Sequence, residues 1–464
     1  MKFLLLRPKE QKICNEGSFY PASIHPPLDL LYIGAALEHD GHKAEIIDFN
    51  VENITHKHLV NSLMLSDAVG ISVYTNNCKT AANIANEIRE TDSNIPIIIG
   101  GPHCTFFQKH SLTDIPKADI SVVGEGENVI VDIAHSLQGR KNLSDISGIF
   151  YRKNTIIKSG NPLQVIDDLD SIVFPARHLV EKYDYGASSG FLRMFKKKFT
   201  TMMTSRGCPS KCSFCAQYGN IIKNYGFRER SAENVVGELQ EINEKYGSVM
   251  IIDDNFLADA KRAHKIFDML LERGTELDLL ILGARVDSAD KKLYTKMKEA
   301  NVKFVGFGIE SGNQDVLDFY NKKVTLNQIR NALKLAKEMK FLTYGSFILG
   351  APIETKKHIE KTIKFACSLP IDIADFGPLV YQMGSSLWND AVKNNKISIN
   401  EYLVTADFNR NLGNFTAEEL HLYVNKAFRR FYLRPSYILD QIHIALSKKE
   451  PSIIINGLKF ITSI

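Results

Sequence analysis

The sequence predicts an α/β protein: an amino-terminal doubly wound, Rossmann-like parallel sheet, then a partial (β/α)6 barrel, then a helical carboxyl-terminal segment. Three observations predict it. Short apolar runs alternate with helix-length amphipathic runs across residues 1–139. An acidic, proline-bearing stretch then breaks the rhythm. From about residue 198 the strand–helix alternation returns. Such alternation is the pattern of parallel sheets whose crossovers are helices.

In the first part, strands are predicted at Lys2–Leu6, Lys43–Asp48, Ala68–Val73, Ile95–Gly100 and Ile120–Gly124. Helices fit between them at Asp29–Asp40, Lys57–Leu65, Thr80–Glu90 and Asn128–Leu137. Open sheets of this kind bind ligands at the carboxyl ends of their strands. Residues 140–195 read as a linker, within which Ile149–Arg152 and Ile156–Ser159 pair as a hairpin across Asn154.

In residues 196–390, strands are predicted at Phe199–Ser205, Val249–Asp253, Leu277–Leu282, Phe304–Ile309, Tyr344–Leu349 and Ile373–Leu379. Helical spacing puts Val235, Leu239, Ile242 and Tyr246 on one face, and Leu326, Ile329, Leu333 and Ala336 on another. Six units are fewer than the eight of a closed barrel, so the barrel is open. Residues 391–464 read as helical and basic.

Composition narrows the function classes. The 464 residues suffice for two or three domains with their own cores, without disulfide staples. Apolar residues make up 44% and charged residues 24%, as in ordinary globular proteins. A net charge of +4, with no clustered basic face, argues against a nucleic-acid partner. No apolar run reaches membrane-spanning length, and the short apolar start reads as a buried strand, not a signal peptide. The cytoplasm is therefore expected. There are seven cysteines, three of them bunched, which in a reducing compartment favours metal ligation over disulfides.

The bunched cysteines lie in Thr204-Ser205-Arg206-Gly207-Cys208-Pro209-Ser210-Lys211-Cys212-Ser213-Phe214-Cys215, directly after a predicted strand. Three thiolates at Cys-x-x-x-Cys-x-x-Cys spacing can hold three irons of a 4Fe-4S cluster, which normally takes four cysteines. No fourth cysteine is near, so one iron is left for an outside ligand. Structural zinc prefers two spaced pairs, and no second pair is present. The spacing, with Phe214 before the last cysteine, resembles the signature of the radical S-adenosylmethionine (SAM) superfamily. That resemblance implies that Cys208, Cys212 and Cys215 ligate the cluster, that SAM binds its open iron, and that Phe214 lies beside the adenine. Core packing explains Phe214 equally well.

Further segments resemble the same superfamily. Asp253-Asp254-Asn255 ends the second barrel strand, where the family binds the amino group of SAM. Adjacent carboxylates repel, and a cationic ligand would explain them; the plain alternative is a helix cap. Gly306-Phe307-Gly308-Ile309-Glu310-Ser311-Gly312 resembles the fourth-strand motif, with Glu310 accepting from ribose hydroxyls and Ser311 beside it. Gly345 to Gly350, with Pro352 and Glu354-Thr355, resembles the segment near the adenine, or is a turn capped by Thr355. Arg285 meets either the SAM carboxylate or a surface Asp.

In the first part, three strand ends carry unusual residues: Ser72-Val73-Tyr74-Thr75-Asn76, Gly100-Gly101-Pro102-His103-Cys104-Thr105, and Gly124-Glu125-Gly126-Glu127. With Pro27-Leu28-Asp29-Leu30, they resemble the cobalamin-binding domains that precede radical SAM barrels. Small residues there open a slot for cobalamin's nucleotide tail, and Glu125 and Glu127 accept from corrin amides. His103 either touches cobalamin or is a turn histidine. The cobalt-ligating motif Asp-x-His-x-x-Gly is absent after the first strand. Its near match, Asp40-Gly41-His42-Lys43-Ala44-Glu45, ends in Glu and lies before the second strand, so it puts no histidine on cobalt.

Together the resemblances imply a cobalamin-dependent radical SAM methyltransferase acting on a small molecule. One electron, from a donor such as flavodoxin or ferredoxin, splits SAM into methionine and a 5′-deoxyadenosyl radical that activates the substrate, and methylcobalamin supplies the methyl. A non-methylating cyclase or rearrangement enzyme is the rival reading. A cluster-bearing redox sensor is the rival from another class. Tyr381, Gln382, Met383 and Gly384 are placed at the substrate cavity.

Overall fold

The computed structural model describes residues 1–10, 25–186, 195–196, 198–222 and 224–439. They divide into two compact units, the first holding 1–10, 25–186 and the described part of 221–230, the second the remainder.

The first unit is built on seven strands: β1 (Lys2–Arg7), β2 (Lys43–Asp48), β3 (Ala68–Ser72), β4 (Ile97–Gly100), β5 (Ile120–Val122), β6 (Ile149–Lys153) and β7 (Ile156–Ser159). Their order is β2-β1-β3-β4-β5-β6-β7. The first five are parallel, and β6 and β7 add antiparallel. Phe3, Leu4, Leu5 and Leu6 are all fully buried, as a strand covered on both faces requires. The chain leaves β1 to one side for β2 and returns on the other for β3. The crevice of such a sheet opens at that switch, beyond the strand ends. The hairpin across Asn154 forms as expected, but it extends this sheet, so the stretch read as a linker also carries structure.

The second unit has six parallel strands: β8 (Phe199–Met202), β9 (Ser248–Ile251), β10 (Asp278–Ala284), β11 (Val302–Glu310), β12 (Leu342–Leu349) and β13 (Ile373–Pro378). They lie in sequence order, with β8 and β13 at the two edges. This is the partial barrel. Outward residues pack on helices: Phe376 of β13 stacks on Phe347 of β12 at 5.0 Å and meets Phe428 edge-on at 5.5 Å. Alternation then turns Tyr344 and Asp375 to the inner face.

Helix Ala417–Tyr432 starts with a capping box between Thr416 and Glu419 and lies against β13. The Tyr432 hydroxyl accepts from the Ala374 N–H at 3.1 Å and donates to the Ala374 carbonyl at 2.8 Å. The region after 390 is not wholly helical, because Leu403–Thr405 pairs antiparallel with Val380–Gln382. Tyr381 and Gln382 therefore lie in a strand. Residues 440–464 of the expected helical segment lie outside the described residues.

Candidate active site

The cysteine loop follows β8 and is fixed at its root. Buried Asp253 accepts from the Thr204 N–H (2.6 Å), the Thr204 hydroxyl (2.5 Å) and the Ser205 hydroxyl (2.6 Å). Arg262 donates to the Thr204 carbonyl and hydroxyl, both at 2.7 Å. Burial pushes the Asp253 carboxyl up, against these bonds. The far side of the loop is stitched to residues 319–321. Ser213 N–H donates to the Tyr320 carbonyl (2.9 Å), and the Asn321 amide to the Lys211 carbonyl (2.7 Å).

Cys208, Cys212 and Cys215 are free and half-buried within this frame. The Cys215 N–H donates to the Cys212 carbonyl at 3.2 Å, curling the loop. Burial pushes the Cys215 thiol up to about 12, helped by Asp254 and the other two thiols. Burial also raises Cys212, with Lys322 and Arg285 opposing. Such thiols stay protonated unless a cation is bound, and a coordinating metal removes their protons outright.

The two adjacent carboxylates have different roles. Asp253 is spent on the loop, so no cationic ligand is needed to explain it. Asp254 is exposed, and its carboxyl is raised by the surrounding protein and by Asp253. Arg285 sits at the cysteine loop, with Nη1 3.9 Å from Cys212 Sγ and Nη2 2.7 Å from the Lys322 carbonyl. Its Nε and Nη2 also grip Asp287 at 3.0 and 2.9 Å, so the surface-Asp reading holds as well. Phe214 meets the Tyr320 ring edge-on at 5.0 Å and keeps part of its surface open.

Glu310 ends β11 with a left-handed backbone, φ 66°. Its Oε1 lies 2.6 Å from Lys322 Nζ, and both side chains are buried. A Cβ on Gly308 would come within 2.5 Å of that oxygen and 2.8 Å of that nitrogen, so the ion pair itself demands a glycine. Ser311 follows Glu310. It is fully buried, shares a 3.1 Å bond with Thr362 and caps Asn313, so it is an internal joint with no open face. Glu354 is buried too. Its Oε2 accepts from the Gly350 and Ala351 N–H groups (2.6 and 2.9 Å), while Oε1 has no partner. Burial lifts this carboxyl to about 7.

Sequence reasoning missed Lys322 and Asp375. Nothing in Asn321-Lys322-Lys323 marks a buried lysine; only the approach of Glu310 does. Asp375 did leave a signal, an acid between apolar neighbours on a strand. Its Oδ2 accepts from the Tyr344 hydroxyl at 3.1 Å, and its Oδ1 is buried without a partner.

In the first unit, the three strand ends come to one edge. Val73 N–H donates to the Gly100 carbonyl (2.7 Å) and His103 N–H to the Val73 carbonyl (3.0 Å). Gly101 has φ 105°, and a Cβ there would lie 2.9 Å from the Val73 oxygen, so only glycine fits. The Ser72 hydroxyl donates to Asp29 in the first turn of helix Leu28–His39. Tyr74 and Thr75 are half-exposed, and a Cβ on Gly100 would meet nothing nearer than 3.7 Å.

Three groups expected at this edge already have close neighbours. His103 is 2% exposed, with Nε2 3.1 Å from Asp114 and 3.4 Å from the Cys78 sulfur, so it presents no open face. Glu125 does not await a corrin amide: Arg228 holds both its oxygens at 3.0 Å, and the Ile166 N–H donates to it at 2.8 Å. Leu163 and Ile33 lie beside Gly124 and Gly126, where a Cβ would come within 2.5 and 2.8 Å of them. Glu127 is buried in the first turn of helix Glu127–Leu137, where a carboxylate suits the helix dipole.

Both expected ligand sets pass a test of fit. Asn76 Oδ1 is buried at the first unit's edge without a partner. An orphaned acceptor calls for a donor, and corrin side-chain amides are donors. In the second unit, three thiols on one loop, the exposed Asp254 and the orphaned Glu354 Oε1 suit an iron–sulfur cluster and a ligand bearing an amine and an adenine.

Residues 202–366 match the Radical SAM superfamily, and residues 20–134 match the B12 binding domain. An uncharacterized methyltransferase of Pyrococcus horikoshii is 31% identical over 448 residues, covering 95% of each chain. The anaerobic magnesium-protoporphyrin IX monomethyl ester cyclase of Cereibacter sphaeroides is 26% identical over 78% of this chain and 60% of its own length. The fold is shared with the radical SAM methyltransferase TsrM of Kitasatospora setae: TM-score 0.68, 16% identity, 84% of this chain and 76% of that one. This enzyme belongs to the radical SAM superfamily, among the members that carry a B12-binding domain, and its cofactors are a 4Fe-4S cluster, SAM and cobalamin.

Proposed function

We propose that the enzyme transfers a methyl group to an unactivated carbon, or to phosphorus, of a small molecule. The observation that carries this reading is end-to-end similarity to a protein named as a methyltransferase, at 31% identity over 95% of both chains. When bound, the cofactors supply a one-electron cleavage of SAM to a 5′-deoxyadenosyl radical and a methyl group carried on cobalt.

The chain's own residues position these groups. Cys208, Cys212 and Cys215 hold the cluster and leave one iron open. Asp254 takes the amino group of SAM and Arg285 its carboxylate. Glu310, through the oxygen not paired to Lys322, accepts from the ribose. Phe214 and the Gly350–Glu354 turn flank the adenine. Ser72, Tyr74, Thr75, Gly100 and Gly101 line the cobalamin edge, and Asn76 accepts from a corrin amide. The substrate enters on the inner face near Tyr344 and Asp375. The reductant is a low-potential protein such as flavodoxin or ferredoxin. The reducing cytoplasm suits three unprotected thiols.

The test is anaerobic turnover with methyl-labelled SAM and a small-molecule extract of the source cells. Label in a new product supports methyl transfer. Deoxyadenosine with an unlabelled, altered product would instead favour a cyclase or rearrangement, the second reading, which the cyclase relative at 26% identity supports.

A further inference from the structure

We propose that Asp40, His42 and His135 form a second metal site, for a divalent ion of the zinc class, on the first unit. The three ligand atoms lie within 4.8 Å of one another. His135 Nε2 is 2.8 Å, and His42 Nε2 3.2 Å, from Asp40 Oδ2. The two imidazoles approach at a steep angle, centroids 6.4 Å apart. His42 is 8% exposed, and its Nε2 makes no properly directed hydrogen bond although it points at the carboxylate. Its other nitrogen, Nδ1, lies 3.3 Å from the Met1 nitrogen, which would have to be the neutral amine to accept the Nδ1 proton when Nε2 binds the ion.

Zinc bonds to nitrogen and oxygen are about 2.0–2.2 Å, which puts tetrahedral neighbours roughly 3.3 Å apart. The two histidine–Asp40 separations, 3.2 and 2.8 Å, are close to that spacing. Two imidazoles and one carboxylate suit zinc or its transition-metal neighbours better than magnesium or calcium, which prefer oxygen. Water completes the fourth position.

The site's place in the fold suggests its purpose. Asp40 closes helix Leu28–His39, and His135 is in the last turn of helix Glu127–Leu137. Both helices begin at the cobalamin edge, where Asp29 holds Ser72 and Glu127 follows the third loop. An ion at their far ends would clamp two helices whose near ends shape that edge. The site is a staple with no part in catalysis.

The test is equilibrium dialysis of cluster-loaded, cobalamin-loaded enzyme against zinc, with zinc measured by elemental analysis and melting followed with and without the ion. One zinc per chain and a raised melting temperature are expected. His135→Ala should weaken zinc binding at least tenfold and abolish the thermal shift. Asp40→Asn, which changes one atom of the cluster, should do the same even if His135→Ala folds poorly. No zinc, or equal zinc in the parent and Asp40→Asn, would overturn the site and leave a hydrogen-bonded triad.

Discussion

Lys322 Nζ lies 2.6 Å from Glu310 Oε1, with both side chains almost closed to solvent, beside the loop that carries the three cysteines. A buried pair is costly to break from one side, because the remaining charge is stranded. Lys322→Met is expected to cost about 3–5 kcal/mol, read as a lower urea midpoint. Adding Glu310→Gln should recover much of that loss. A double variant as unstable as the sum of two singles would show that the pair is not coupled.

Cys212→Ala removes one of three thiolates. Bound iron is expected to fall from about four per chain towards zero, with loss of the cluster's visible absorption. Corrinoid content should stay unchanged, since Ser72, Thr75 and Asn76 belong to the other unit. Parallel loss of both cofactors would mean the units do not fold independently of the cluster.

Glu354 makes stability fall with pH. Its carboxyl sits near 7 in the fold, against 4.5 for an ordinary glutamate. The folded state therefore holds a proton that the unfolded chain releases first. The stabilisation is complete below 4.5, and is lost at roughly 1.4 kcal/mol per pH unit up to about 7. Urea midpoints at pH 5 and pH 8 should differ more for the parent than for Glu354→Gln, whose amide oxygen still accepts from Gly350 and Ala351.

Arg228 grips Glu125 through two bonds of 3.0 Å and also reaches the Ile166 carbonyl. Arg228→Ala leaves a nearly buried carboxylate without this cation, at an expected cost of about 3 kcal/mol to the first unit. Arg228→Lys keeps the charge and loses the fork, so it should recover only part. Urea-driven release of corrinoid should shift accordingly, with iron content unaffected.

The parts most legible in the sequence were those fixed by local pattern. Phe3–Leu6 read as a covered strand, and the spacing of Cys208, Cys212 and Cys215 put them in one loop after a strand, as the structure has them. The six barrel strands showed as apolar runs between amphipathic helices. What escaped depends on residues distant in the chain. Glu125 looked available because its partner Arg228 comes 103 positions later. His103 looked open because Asp114 and Cys78 meet it only in the fold. The hairpin around Asn154 was legible, yet its place in the first sheet depended on β5 lacking another neighbour. Asp253 and Asp254 are chemically identical in sequence, and only Thr204 and Ser205 tell them apart.

A partial barrel ends in an edge strand, and a bare edge is a template on which another chain can add its own strand. At Ala374 one phenol, that of Tyr432, satisfies both the amide and the carbonyl. Phe428 and Phe431 of the same helix then press on Phe376 beside it. This edge of the incomplete barrel is therefore guarded against edge-to-edge aggregation: any recruit there must first lift a helix anchored by its aromatic side chains.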